Sequence, residues 1–530
     1  MAAKETFGLP VSTTDAAASH QDATISGTWN ISSLKHVEKG HAGQKHKGRL
    51  VLLGDKIRRL RDGLKVYPRG EDVGIFGSIA TLEAMRVVLA HGLQGGTDGK
   101  PYAVKAADLA NAYLNAGWDT ALAPPHFLEL SLEDERGLPE GHRQKAAALR
   151  AAGHRVVYPM ERCLYGHPLS GHIWVETLYR HLSDTGWVPV PGIPGLFSKS
   201  TMVLCTYVDD LLISGSDEEV AEFFATLPFE VGKGGPATEF LGAALEFDRV
   251  ECGSDAFYET RIHLGDYIRT LVSRFEQKWD TVAHNAWTPL SSELRTDVPT
   301  EAKAPESRVL ELVGMILWVA RVARPDVSFA ASRLASRVGR WTPECDAQLA
   351  RTVGYLKATA SVKLRLSRHV DDRSCDLLPD LHSDSSWVPG KCQSGAFLCL
   401  SSARGSVLPL AWASTKQSVQ ADSTAASELI AAHTAIRDAL CVAQALSGRV
   451  VCVRIDNAAV IRIARKGSSG QLAVYESKPL AIRAGMLRDL IGLGVVEVQY
   501  VHTDLNRADA CTKALERLKQ ERARALFSLA

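Results

Sequence analysis

The chain has 530 residues, 45% hydrophobic and 23% charged, with 61 basic against 60 acidic side chains for a net charge of +1. That length predicts several domains, since one core rarely exceeds about 250–300 residues, and the composition is that of a globular protein. Near-neutral charge removes global basicity as an argument for a nucleic-acid partner. No uninterrupted apolar run reaches the roughly 18 residues of a membrane span, and the N-terminal Met-Ala-Ala-Lys-Glu-Thr lacks the apolar centre of a secretion signal. The 10 cysteines contain no CxxC pair. They read as reduced intracellular thiols, not disulfides or a zinc site, so an intracellular chain without a membrane partner is expected.

Residues 1–26, rich in Ala, Ser, Thr and Asp without periodicity, predict a flexible lead-in. Basic clusters at 36–49, 56–61, 333–340 and 517–524 read as solvated faces. The histidines His36, His41 and His46 lack cysteine partners for a zinc knuckle. Strand-like and helix-like runs alternate from Arg49 to Gly215. In the first of these blocks Asp108 ends the alternating run that begins at Val104, so it can project from a strand end. Alone it reads equally as a helix cap or turn acid.

Tyr207-Val208-Asp209-Asp210 lies between the apolar runs Met202–Thr206 and Leu211–Ser214. This predicts a β-hairpin with two carboxylates at its tip. Adjacent acids at a tight turn are unfavourable without a cation. Divalent metal ions are the natural counter-charge for oxygen ligands, and a pair of them can clamp the attacking and leaving oxygens of phosphoryl transfer. A solvated acidic turn is the alternative.

After the hairpin, residues 217–227 predict an amphipathic helix with Val220, Phe223, Phe224 and Leu227 on one side. Residues 248–305 predict polar turns around one helix, Asp266 to Phe275. The run from Ser307 to Val322 reads as a buried helix stopped at Arg324-Pro325. A further helix is expected from Pro343 to Thr359, with Leu349, Val353 and Leu356 as its stripe. Residues 366–380 are the linker candidate, and a second α/β unit follows over 381–515, then a basic tail over 516–530.

That unit carries four well-separated acids. Asp384 follows Leu381-His382-Ser383. Glu428 sits on a helical stretch whose apolar side is Leu429, Ala432 and Ile436. Asp456 follows the buried run Val450–Ile455, and Asp509 lies in Asn506-Arg507-Ala508-Asp509-Ala510-Cys511-Thr512-Lys513. Acids at strand ends and on a neighbouring helix can converge on metal in an α/β fold; each alone reads as a surface acid or cap.

Taken together these segments resemble the reverse transcriptase and ribonuclease H region of copia-type LTR retrotransposon Pol polyproteins. Asp108 to Ala116 stands where that family has Asp-Val-Lys-Thr-Ala-Phe-Leu-Asn-Gly, and Leu164 to Trp174 where it has Leu-Tyr-Gly-Leu-Lys-Gln-Ala-Pro-Arg-Ala-Trp. The Tyr-Val-Asp-Asp hairpin follows, then Phe240-Leu241-Gly242, Leu312-Val313-Gly314, Arg324-Pro325-Asp326 and Tyr355-Leu356-Lys357. Upstream, Lys47-Gly48-Arg49-Leu50-Val51 resembles the family's Lys-Ala-Arg-Leu-Val. The later acids match its Ser-Asp, Glu-Tyr, Asp-Asn and Ala-Asp-Ile-Leu-Thr-Lys blocks, with the family's extra acids replaced by Ser386 and Ala426.

The resemblance implies an α+β and α/β multidomain fold. A right-hand polymerase would occupy 27–247 as fingers and palm and 248–365 as thumb and connection, with a ribonuclease H-like α/β domain over 381–515. It implies an RNA-directed DNA polymerase with two Mg²⁺ or Mn²⁺ ions at Asp108, Asp209 and Asp210. It further implies a hybrid ribonuclease with two more ions at Asp384, Glu428, Asp456 and Asp509. Lys47 and Arg49 would grip phosphates, Tyr113 would act as a sugar gate, and Tyr165, Gly166 and Tyr207 would line the nucleotide and template. Partners would be an RNA template, a DNA primer, an RNA–DNA hybrid and deoxynucleoside triphosphates, in a cytoplasmic virus-like particle or the nucleus. His502 is a candidate proton relay. The middle block loses its basic residues at 168–173, and Gly232 replaces the lysine that follows Phe-Glu-Met, with Lys233 one place later. These departures leave open a non-catalytic remnant that binds nucleic acid, or a chain in which only the nuclease works.

Overall fold

The computed structural model describes residues 5–35, 45–66, 80–232, 234–291, 307–388, 392–419, 421–468 and 478–530. Three mixed α/β layers organise them, each built on one sheet. The first sheet has six strands. Thr24–Lys35 and Lys45–Leu52 form its long antiparallel hairpin, and His126–Glu129 and Val156–Pro159 extend it on the other side. Val11–Ser12 completes that edge by pairing with Val157 and Val156.

The expected flexible lead-in is therefore corrected from residue 5 onward. Ser12 accepts a hydrogen bond from the Asp15 N–H and caps the helix Thr13–Ser19, while Phe7 and Ala16 are buried. Small polar residues that look like disorder in composition here act as a cap and as close-packing surface. Only the tertiary partner at Val156–Pro159 reveals it.

The second sheet holds the acidic hairpin. Ala103–Asp108 pairs antiparallel with Asp210–Gly215, which pairs with Met202–Tyr207 and then Leu196–Lys199. Its two central strands read as continuous apolar runs because helices cover both faces. The helix Leu82–Gln94 packs on one side and Ser170–Asp184 on the other. The helix after the hairpin, Asp217–Thr226, is capped by Ser216 and buries Val220 and Phe223 as its pattern requires.

The third sheet has nine strands and overrides the expected boundaries. Residues 248–305 do not begin as polar turns: Ala243–Cys252 and Asp255–His263 form a long hairpin. Its outer residues are charged because they pair across strands, as Arg261 does with Asp248 and Glu246, and this hides the strand periodicity. The expected linker at 366–380 is also corrected. Leu364–His369 is a strand paired to Asp255–His263 and joined to Val407–Lys416. In the turn that follows, Asp372 is buried, accepting hydrogen bonds from Ser402 and Ser406 and pairing with Arg404 at 3.2 Å. The sheet continues through Gln393–Ser401 and Leu378–Ser386 to two parallel strands, Val451–Ile455 and Val496–Tyr500.

Two buried polar knots hold these parts together. Arg86 donates from Nε to the Leu410 carbonyl at 2.6 Å and from Nη1 to the Arg321 carbonyl at 2.9 Å, and its guanidinium lies 4.1 Å from the Trp412 ring centre. Trp412 in turn donates to the Ala320 carbonyl at 2.8 Å. Arg324 forks onto Asp326 at 2.9 and 2.8 Å, and Tyr355 donates to the same carboxylate at 2.6 Å. The expected basic tail is a docked helix, Arg517–Leu526: Gln520 donates to the Asp326 carbonyl at 3.0 Å and Phe527 is buried.

Candidate active sites

The first site forms where two strand ends meet. Asp210 is registered directly opposite Asp108, so both project from the same side of the sheet. Asp209 lies in the two-residue turn between Tyr207 and Asp210, and its carbonyl accepts from the Leu109 N–H at 2.7 Å. Carboxylate oxygens of Asp108, Asp209 and Asp210 all lie within 4.8 Å of one another. Burial, then the charges of Asp209, Asp108 and Glu239, push Asp210 up to about 6. The site thus concentrates negative charge and has oxygen donors that suit a hard divalent cation.

The turn is strained to achieve this. Val208 has φ +57°, a conformation that usually selects glycine at the first position of such a turn and costs a β-branched residue on the order of 1–3 kcal/mol. Trp174, fully buried on the Ser170–Asp184 helix, donates from its indole N–H to the Val208 carbonyl at 2.7 Å. In the sequence Trp174 only ends the Leu164–Trp174 motif; its contact with Val208 emerges from the fold. Gly232 donates to the Asp108 carbonyl at 2.7 Å, and a side chain there would crowd that residue. Lys233 lies outside the described residues.

Beside the carboxylates stands an aromatic wall. The Tyr113 and Tyr165 rings lie 4.6 Å apart and the Arg49 guanidinium is 5.0 Å from the Tyr165 ring centre. Burial and the charge of Asp209 raise the pKa of both tyrosines, which places this wall next to the acids. Lys47 belongs to the Lys45–Leu52 strand, but its side chain lies outside the described residues. Gly166 and Tyr207 make further contacts of their own. Gly166 has φ +97° and a Cβ would lie 2.1 Å from the Leu52 carbonyl oxygen; its close approach is to the first sheet. Tyr207 is registered opposite Asp210 yet packs against the apolar core.

The second site lies on the third sheet. Asp384 is opposite Gly395, where a Cβ would meet the Ala508 carbonyl oxygen and Thr512 Cγ2 at 2.7 Å each. The missing side chain lets the segment carrying Asp509 lie against the strand. Glu428 sits on the helix Thr424–Ser447, which Ser423 caps and whose Leu429, Ala432 and Ile436 are buried with it. By length and composition that helix could cross a membrane; here it covers the sheet. Asp456 follows Val451–Ile455 and accepts from the Thr503 hydroxyl at 2.9 Å.

Oxygens of Asp384, Glu428 and Asp456 lie within 4.8 Å of one another. Burial, reinforced by Asp509 and Asp456, pushes Asp384 up to about 7 against the opposing Thr512 hydrogen bond. Burial, then Asp384 and Asp456, pushes Glu428 up to about 9. Among the described residues, buried Glu428 Oε2 has no hydrogen-bond partner, an orphaned acceptor that a cation would satisfy. Asp509 stands at the edge of the trio: burial and the charge of Asp456 raise its pKa, and Lys513 pairs with it. Burial works to lower the Lys513 pKa, but Asp509, Asp384 and Asp456 raise it overall. His502 caps its own turn by accepting from the Asp504 N–H at 3.2 Å; the neighbour Thr503 reaches the site instead. Thr503, Thr512 and Lys513 were not singled out from sequence, although the last two fall inside the quoted Asp509 block.

No family model matches the chain. Over 386 residues, 68% of this chain, it is 26% identical to the retrovirus-related Pol polyprotein from transposon RE1 of Arabidopsis thaliana. Over 485 residues, 87% of the chain, it is 22% identical to that of transposon RE2 of the same plant. Its homologues are copia-type Pol polyproteins. The resemblance read from the motifs is thus borne out. The matches cover only 24% and 30% of those relatives, so the chain spans less than a third of their length. Among solved structures, it is similar to the prototype foamy virus protease-reverse transcriptase at 14% identity, with 95% of this chain and 54% of that one covered at TM-score 0.21. An N-terminal RNase H domain from Mycobacterium tuberculosis, fused to maltose binding protein, matches at 17% identity, with 28% and 96% covered at TM-score 0.20. At these scores the structural likenesses carry no argument.

Proposed function

We propose that the chain is an RNA-directed DNA polymerase with ribonuclease H activity from a copia-type retroelement. In this reading the first sheet is the fingers, the second the palm, and residues 243–369 with the helices beyond them the thumb and connection. The observation that carries it is the convergence of Asp108, Asp209 and Asp210 beside the Tyr113–Tyr165–Arg49 wall. Four separate motifs supply the oxygen ligands for metal, an aromatic surface and a cation for phosphate. The second constellation, Asp384, Glu428, Asp456 and Asp509, supports hydrolysis of RNA in a hybrid.

The residues divide the work. Mg²⁺ or Mn²⁺ held by each acid cluster would supply charge neutralisation and nucleophile activation, of the primer 3′-hydroxyl in one and of water in the other. Arg49 offers a planar fork to the triphosphate. Tyr113 presents a ring edge against a ribose 2′-hydroxyl, while Tyr165 supports it from behind. At the second site the 2′-hydroxyl distinguishes the strand to be cut. Template, primer, hybrid and deoxynucleoside triphosphates are the proposed partners, in a cytoplasmic particle or the nucleus.

Primer extension on poly(rA)–oligo(dT), with Mg²⁺ and with Mn²⁺, and gel analysis of a labelled RNA–DNA hybrid test both activities. Asp209→Asn should abolish extension and keep cleavage; Asp456→Asn should do the reverse. Undiminished cleavage by a folded Asp456→Asn protein refutes the nuclease assignment, and undiminished extension by Asp209→Asn refutes the polymerase.

A further inference from the structure

We propose that Thr512 is a positioning residue of the second site: its hydroxyl sets the orientation of the Asp384 carboxylate for divalent-metal binding. This rests on the metal-dependent nuclease reading above. Thr512 is 1% exposed. Its hydroxyl donates to Asp384 Oδ2 and also lies 2.9 Å from the carbonyl oxygen of Asp509. A hydroxyl has one proton, and an ionised carboxylate competes for it better than a neutral carbonyl. In the metal-binding state the proton therefore goes to Asp384, fixing one oxygen and leaving the other to be presented in a defined direction.

The hydroxyl is not needed to place the loop. Asn506 Nδ2 donates to the Ser383 carbonyl at 3.1 Å, and Ser414 donates to the Cys511 carbonyl at 2.6 Å. These bonds pin the segment on both sides of Asp509 without Thr512. The threonine methyl has its own task. Cγ2 fills the space beside Gly395, where even a Cβ would come within 2.7 Å of it. A β-branched side chain wedged in this way keeps one χ1 rotamer, and that rotamer aims the hydroxyl at Asp384. Thr512 thus ties Asp384 to the segment that carries Asp509, the kind of outer contact whose loss costs metal affinity about 10–100-fold.

The test uses the full chain carrying Asp209→Asn and Asp210→Asn, so that Mn²⁺ reports mainly on the second site. Mn²⁺ affinity is read by electron paramagnetic resonance, and hybrid cleavage is titrated with Mg²⁺ in parallel. Thr512→Val keeps the shape and removes the hydroxyl; it should weaken Mn²⁺ binding at least about tenfold and shift the Mg²⁺ requirement upward equally. Thr512→Ser keeps the hydroxyl and frees the rotamer; it should fall between parent and Thr512→Val. A Thr512→Val protein within twofold of the parent overturns the proposal, as does a serine variant weaker than the valine one, since packing alone would then explain the effect. A parent that binds no Mn²⁺ also overturns it. If the parent binds Mn²⁺ and loses it on Asp384→Asn but cleaves no hybrid, the nuclease reading fails, while the ranking of the Thr512 variants still decides the positioning role.

Discussion

Two carboxylates show how the second site resists charge without a cation. Asp384 and Glu428 are held at about 7 and about 9, burial being the larger cause in each. A carboxyl whose folded value is raised contributes stability that is fully present below its unfolded value. That contribution is lost as pH rises through the folded value. Metal-free protein should therefore lose stability progressively from about pH 4.5 to 9, as the native state is forced to ionise buried acids. A divalent cation favours the ionised form, so Mg²⁺ should raise the melting temperature by several degrees at pH 8 and by little at pH 5. Melting curves across that range check this, and a Mg²⁺ shift independent of pH would exclude it. Tyr113 offers a second measurement at this scale. Its ring is packed on Tyr165 and so is poorly able to yield. Tyr113→Ala should raise ribonucleotide over deoxynucleotide incorporation by at least about tenfold, ~1.4 kcal/mol of discrimination. An unchanged ratio would make Tyr113 a core residue only.

At the level of elements, the acidic hairpin depends on a helix that carries none of the three acids of the site. Val208 occupies a strained turn, and Trp174 secures its carbonyl from the Ser170–Asp184 helix. Trp174→Phe preserves most of the packing and removes the donor. A buried carbonyl left without its partner costs about 1–3 kcal/mol. We expect kcat for primer extension to fall roughly 5- to 100-fold with little change in KM for the nucleotide, because the acids lose alignment while the Tyr113–Tyr165–Arg49 wall is untouched. Equal kcat in steady-state assays would show that the turn holds itself. The Arg324-Pro325-Asp326 motif illustrates the opposite case. Its ion pair is fully buried and bound to Tyr355 and Gln520, so its recurrence in the family pattern has a structural explanation that needs no chemistry.

Across the whole molecule, the C-terminal α/β unit is not set apart. Its sheet continues through Leu364–His369 into the strands before it, and one apolar core runs from Ala80 to Leu529. Arg86, far upstream, stacks on Trp412 of the third sheet, and the helix at 517–526 closes onto Asp326. A fragment of residues 378–530 exposes the Val407–Lys416 edge and strips Trp412 and Gln520 of their partners. It should melt well below the full chain and cleave hybrid poorly. Starting the fragment at residue 307 should recover part of both, since it restores Leu364–His369, Ala320 and Asp326. A 378–530 fragment that melts with the full chain would show that the nuclease folds alone.

How much of this was legible in the sequence follows from the range of the interactions involved. Asp108 and Asp456 could be named because each ends a local apolar run, Asp209 and Asp210 because they lie between two such runs, and Glu428 because it sits on a helical one; Asp384 and Asp509 could be named because their order matches a family pattern. The helices at 217–226, 307–322 and 343–358 could be read because their stripes are intrinsic to the chain. Segments whose polar residues find partners far away could not. The strand at 243–252 hides behind cross-strand ion pairs, the supposed linker is a central strand, and the lead-in is an edge strand and capped helix. The sequence by itself thus determined which acids are present and in what order. Tertiary structure alone decided that Trp174 holds the strained hairpin, that Thr512 meets Asp384, and that both sites share one continuous body, because these contacts join residues dozens to hundreds of positions apart whose pairing leaves no local periodicity.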